Sequence, residues 1–110
     1  MIDVREYLEP GGRSPYADWF DDLNAEAAAR VAKAITRIGH GNLSNVKGVG
    51  AGVFEYVLDF GPGYRIYFGK DGDRVVILLG GGTKKRQERD INEAIAMWRD
   101  YKRRRQGGER

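Results

Sequence analysis

The 110-residue sequence contains no cysteine. Disulfides, thiolate nucleophiles and zinc–thiolate sites are therefore excluded. It has a single histidine, His40, set between two glycines. That argues against a histidine-based metal site or a Ser-His-Asp triad, and His40 reads as a helix-end or solvent residue. No apolar run approaches the ~20 residues of a membrane-spanning helix. The N-terminus, Met1-Ile2-Asp3-Val4, is acidic and alternating rather than basic and apolar, so it does not read as a signal peptide. A cytoplasmic protein is expected. Carboxylates paired for acid–base work are also missing: Asp71 and Asp73 flank a turn, and Asp21-Asp22 belong to a helix surface. The length suits one compact domain, expected over residues 1–102, with a basic, flexible tail over residues 103–110.

What the sequence does have is charge, unevenly placed. The formal net charge is only +3. Residues 1–29 carry two arginines and seven acids, a net of −5, whereas residues 30–110 carry seventeen Lys/Arg and nine acids, a net of +8. A basic C-terminal portion points to an anionic partner, either nucleic acid or an acidic protein.

The hydrophobic pattern predicts an α+β domain. Residues 2–8 alternate as a first strand, closed by Pro10-Gly11-Gly12. Ser14-Pro15 is a helix start, with Ser14 as N-cap and Pro15 in the first turn. Tyr16, Trp19, Phe20 and Leu23 take helical spacing, which Ala27, Val31, Ala34, Ile35 and Ile38 continue to Gly39. Asn24 can cap a second helix, so the segment is either one helix or a helical hairpin. Residues 39–52, with five glycines, read as a loop. Three antiparallel strands follow. The first alternates over residues 53–60, the second places Tyr64, Ile66 and Phe68 opposite Arg65 and Tyr67, and the third is the apolar run Val75-Val76-Ile77-Leu78-Leu79. A last helix carries Ile91, Ala94, Ile95, Trp98 and Tyr101 on one face. The expected architecture is a small antiparallel sheet with an N-terminal helix pair and a C-terminal helix packed on one face, the other face partly open.

Two features can carry chemistry. Gly80-Gly81-Gly82-Thr83 leads into Lys84-Lys85-Arg86, three consecutive cations. Glycines at a strand end allow close approach of a ligand, and a following helix N-terminus offers N–H groups to phosphate. The spacing is not that of a nucleotide P-loop. Against a phosphate site stands a solvated basic loop. The second feature is Arg65, mid-strand on the open face, where its planar fork suits a phosphate. A cross-strand salt bridge with Asp59 would occupy it instead, if residues 61–63 form a three-residue turn. Lys47 lies in the glycine-rich loop and by itself is an ordinary lysine.

Several blocks taken together resemble one family: Trp19-Phe20-Asp21-Asp22-Leu23, Gly41-Asn42-Leu43, Val46-Lys47-Gly48-Val49-Gly50-Ala51-Gly52-Val53, Gly61-Pro62-Gly63-Tyr64-Arg65-Ile66-Tyr67-Phe68, Leu78-Leu79-Gly80-Gly81-Gly82-Thr83-Lys84 and Asp90-Ile91-Asn92-Glu93-Ala94. The chain resembles the RelE/ParE toxin superfamily in its HigB-like branch, the addiction module killer or phage Gp49-like proteins, over roughly residues 2–101. The resemblance implies a toxin of a type II toxin–antitoxin pair that cleaves mRNA on the translating ribosome. The chemistry is metal-free attack of a ribose 2′-OH on the adjacent phosphate, and no cofactor is expected. It needs a base, cations for the developing charge and an acid for the leaving oxygen. By the same resemblance Arg65 stabilises the phosphate and Lys84 contacts it or serves as base. Lys47, Lys85 and Arg86 contact RNA. The expected partners are a cognate antitoxin, commonly a helix-turn-helix protein, together with mRNA and the ribosome, and no membrane.

Two departures bear on that activity. Relatives often carry Glu-Leu-Arg where this chain has Glu55-Tyr56-Val57, so one basic residue is missing. Cleaving relatives often place a tyrosine near the start of the last helix, where this chain has Arg89-Asp90-Ile91, and the general acid has no candidate. The competing readings are a ParE-like DNA gyrase inhibitor without nuclease activity, and a non-toxic RNA- or protein-binding module of the same fold.

Overall fold

A computed structural model describes residues 1–108. The element order is β1 (Asp3–Glu6), α1 (Pro15–Asp21), α2 (Ala25–Gly39), β2 (Val46–Gly50), β3 (Val53–Leu58), β4 (Tyr64–Asp71), β5 (Val75–Thr83), a 3₁₀ turn (Lys84–Arg86) and α3 (Gln87–Gly108). The fold is α+β, as the hydrophobic pattern predicts. The helical segment resolves into a hairpin. Ser14 Oγ accepts from Ala17 N–H at 3.0 Å and Asn24 Oδ1 from Ala27 N–H at 2.9 Å, so each cap satisfies a first-turn donor. His40 caps the C-terminus of α2.

The sheet has five strands in the order β1-β5-β4-β3-β2, one more than the alternation predicts. The extra strand is β2, inside the segment expected to be a loop. Its composition hides it: Val46 and Val49 are its apolar residues, and a register shift between Gly48 and Gly50 breaks the period of two. Ala51 and Gly52, both with positive φ, form the tight turn from β2 into β3. At the opposite edge β1 pairs with β5 in parallel, so the sheet is mixed.

The helices do not share a face. Tyr56, Leu58, Ile66, Phe68, Val76 and Leu78 point to α1 and α2, where Tyr16, Val31, Ala34 and Ile38 complete one core. Val53, Tyr67, Ile77 and Leu79 point the other way, onto Ala94 and Trp98 of α3. The expectation of all helices on one face fails because β4 and β5 are apolar on both sides, and each side needs its own cover. Burying each of these large aliphatic side chains stabilises the fold by about 1.5–3 kcal/mol.

The triple glycine belongs to β5 rather than to an exit loop. Trp19 lies so close to Gly81 from the α1 side that a Cβ would collide with its ring atoms, and the Asp90 carboxylate from α3 occupies the corresponding space at Gly82. These glycines admit side chains of the protein itself. α3 runs without a break through Arg103, Arg104 and Arg105, so the domain boundary expected at residue 102 falls within a helix. The last residues of the expected tail, Glu109 and Arg110, lie outside the described residues. Among the described residues no helix is long and apolar enough to cross a membrane.

Candidate functional site

α3 covers the half of its sheet face nearest Trp98. Where it starts, at Gln87, the face ends in a charged cluster built around Glu55. The β3–β4 register places Tyr67 directly across from Glu55, and the β2–β3 register places Lys47 across on the other side. Glu55 is fully buried. Gln87 Nε2 donates to its Oε2 at 2.8 Å, Lys47 Nζ stands 3.6 Å from Oε1, and Arg65 Nε stands 3.6 Å from Oε2. Thus β2, β4 and the start of α3 all converge on one carboxylate of β3.

Arg65 is buried, 8% exposed, rather than projecting over an open sheet. Its partner is not Asp59. The register sets Val57 opposite Arg65, β3 stops at Leu58, and Asp59 lies beyond the strand in the connection to β4. Arg65 Nη1 donates to the Gly63 carbonyl at 2.6 Å. Gly63 has φ 78°, and a Cβ on it would stand 3.0 Å from Arg65 Nη1 and 3.3 Å from Lys84 Cβ. Glycine is required there on both counts, backbone conformation and space. Lys84 N–H donates to the Pro62 carbonyl at 3.3 Å, which ties the 3₁₀ turn to the β3–β4 connection. The Gly61-Pro62-Gly63 block therefore holds the guanidinium of Arg65 and the backbone and Cβ of Lys84 against one glycine.

Of the five residues that the sequence singles out, Lys47 and Arg65 meet at Glu55, and Lys84 joins Arg65 at Gly63. Lys85 and Arg86 are exposed on the 3₁₀ turn beside Lys84 and do not join the Glu55 cluster. The cations sit before α3, whose first turn carries Glu88 and Asp90, the sign that a helix N-terminus favours. The cationic surface is therefore made by side chains of the turn, not by the helix end.

Two further groups belong to this region. The Tyr67 hydroxyl is buried without a hydrogen-bond partner among the described residues. Burial, and then the negative charges of Glu55 and Asp90, push its ionisation well above the ordinary tyrosine range. Asp90 is raised as well, first by burial and then by Glu93. Gln87 escapes motif reading altogether, and Glu55, although it stands in the Glu55-Tyr56-Val57 block, is given no role by it. The available signal is one carboxylate on the Arg65–Tyr67 face of an otherwise apolar strand. Gln87, at a helix start, carries none.

Arranged this way, the surface can bind a polyanion. One guanidinium is held rigidly at its base, and one lysine is placed against the same glycine. Two more cations flank them on the turn, and a fifth lies on the neighbouring edge strand.

The comparisons agree with the motif blocks. Over residues 18–99 the chain matches the family described as Phage derived protein Gp49-like (DUF891). It is also 39% identical over 80 residues to a Haemophilus influenzae protein described as uncharacterized, covering 72% of this chain and 81% of that one. The fold, the Gly63–Arg65–Lys84 arrangement and a match across most of the length lead to one assignment: the chain belongs to the phage-derived Gp49-like family, an addiction-module toxin family of the RelE-like kind.

Proposed function

We propose that this toxin is a ribosome-dependent mRNA endonuclease, held inactive by its cognate antitoxin until released. The observation that carries the reading is that Arg65 Nη1 and the Lys84 Cβ both lie against Gly63, so two cations of different chemistry emanate from one place beside an exposed basic turn. In the proposed reaction a ribose 2′-oxygen attacks the adjacent phosphorus. The O2′–P bond forms, the P–O5′ bond breaks, the 2′-hydroxyl proton passes to a base, and the leaving 5′-oxygen takes up a proton. Arg65 spreads positive charge over the phosphoryl oxygens as negative charge develops. Lys84 contacts the same phosphate or, unprotonated, takes the 2′-proton. Lys47, Lys85 and Arg86 hold the RNA backbone, a contact that weakens with salt. The acid for the 5′-oxygen is not assigned. Tyr67 is a poor candidate from its burial, and the chain has no tyrosine near the start of α3.

The test is purified toxin added to ribosomes translating a reporter mRNA, with new 5′ ends mapped. Wild type is expected to cut, Lys84→Ala and Arg65→Lys to cut at least about tenfold more slowly. Intact mRNA together with loss of DNA supercoiling by gyrase would overturn the reading in favour of a gyrase inhibitor.

A further inference from the structure

The proposed chemistry uses cations and has no task for a buried carboxylate, yet Glu55 is the most heavily engaged side chain of the site. It is fully buried and takes ties from three separate elements, through Lys47, Arg65 and Gln87. Such a group is not needed for core stability: buried ion pairs are often matched or bettered by apolar residues of equal volume. Nor is it fully satisfied, since Glu55 Oε1 and Arg65 Nε are both without hydrogen-bond partners among the described residues. Its geometry is specific in another way. Arg65 is held by one hydrogen bond, from Nη1 to the Gly63 carbonyl, and its Nε faces the Glu55 carboxylate at ion-pair distance, 3.6 Å, so charge attraction rather than a second hydrogen bond orients the guanidinium. Lys47 is 63% exposed, and its ammonium is held on the side of the sheet where Arg65 lies. We propose that Glu55 is the positioning residue of this site, orienting Arg65 directly and Lys47 across the β2–β3 pair so that both meet the same stretch of anionic ligand, while Gln87 holds the carboxylate in place.

This inference rests on the RNA-cleavage reading for its ligand, so the experiment carries an arm that does not. In the first arm, wild type, Glu55→Gln, Lys47→Met and the double variant are compared in single-turnover mRNA cleavage on ribosomes. Glu55→Gln keeps the shape and the Gln87 contact but removes the charge. The expected result is a fall of about tenfold in the saturating rate for Glu55→Gln, with the half-saturating ribosome concentration little changed. The double variant should be no slower than the slower single, because residues that act through one another are not additive. In the second arm the Arg65 Nε–H signal is followed by NMR while a short single-stranded RNA is titrated in. Wild type should show a sharp signal, slow to exchange, that shifts with RNA. Glu55→Gln should broaden it and weaken the binding of this free RNA several-fold, a loss that the ribosome's own hold on the mRNA conceals in the first arm. If Glu55→Gln does not fold, Gln87→Ala replaces it, with the same pattern at a smaller amplitude, about threefold. Independent, multiplying effects of the two substitutions, or an Arg65 signal and RNA affinity unchanged in a folded variant, would overturn the proposal. If wild type leaves mRNA intact on ribosomes, the nuclease reading fails, and the NMR arm still decides the role of Glu55.

Discussion

The two faces of the sheet are covered by different helices and filled with different chemistry. Against α1 and α2 the buried residues are aliphatic and aromatic throughout, and the strand residues there belong to one uninterrupted core. Against α3 the apolar core is shorter, and beyond its end lie Glu55, Arg65 and Tyr67, all buried and each with an unpartnered polar atom. The first face needs only volume and shape. The second face loses stability by enclosing charge, since each unsatisfied buried group costs about 1–3 kcal/mol. A 110-residue domain has little stability to spare. The contrast separates what folds the chain from what the proposed activity would use: the larger apolar core lies on the α1–α2 face, and the buried charges and the basic turn lie at the open end of the α3 face.

That separation can be broken or sharpened by substitution. The largest effect is expected from Ile38→Ala, a fully buried position on α2. It should lower unfolding free energy by about 3 kcal/mol while leaving the cleavage rate per folded molecule unchanged, read from denaturant melts and single-turnover kinetics. An equal loss of activity would break the separation.

Next comes an alkaline titration of the same face. Burial, with the Glu6 charge second, raises the Tyr16 hydroxyl to about 12. Its folded-state value lies above the unfolded one, so the stability it contributes is full below pH 10 and is lost as pH rises through about 12. Tyr16→Phe should flatten the stability profile over that interval by about 2 kcal/mol relative to wild type, followed by denaturant melts at each pH.

On the other face Gly63→Ala should act on activity more than on stability. The added Cβ meets Arg65 and Lys84, and the positive φ is strained. A loss of about tenfold in cleavage with about 1 kcal/mol in stability is expected. The smallest effect belongs to the double variant Lys85→Ala/Arg86→Ala on the exposed turn. It should weaken RNA binding only a few-fold and reduce the log–log salt slope by about one to two.

How much of this the sequence carries follows the same contrast. The α1–α2 core is written in simple periodicity, with Tyr16, Val31, Ala34 and Ile38 at helical spacing and Ile66 and Phe68 at strand spacing, and both helix caps are legible in Ser14 and Asn24. The hidden elements are those whose reasons are non-local. β2 exists because the edge of β3 accepts it, not because Val46-Lys47-Gly48-Val49-Gly50 has strand character. Gly81 reads as a ligand loop until Trp19 is placed upon it. Arg65 reads as an exposed cation until the register brings Glu55, two positions from Val57, beneath it. Motif blocks locate Arg65 and Lys84, but only the turn at Gly63 makes them neighbours. Glu55 and Gln87, 32 residues apart, have no pattern to link them.

Cleavage through Lys84 is decided by mapping 5′ ends on a reporter mRNA carried by translating ribosomes, with wild-type toxin beside Lys84→Ala. Lys84 is exposed, so its loss leaves the fold intact. The predicted result is discrete new ends with wild type, at least about tenfold fewer with the variant at equal time, and growth arrest relieved to match. Growth arrest by wild type with the mRNA uncut, or cleavage undiminished in Lys84→Ala, would contradict it.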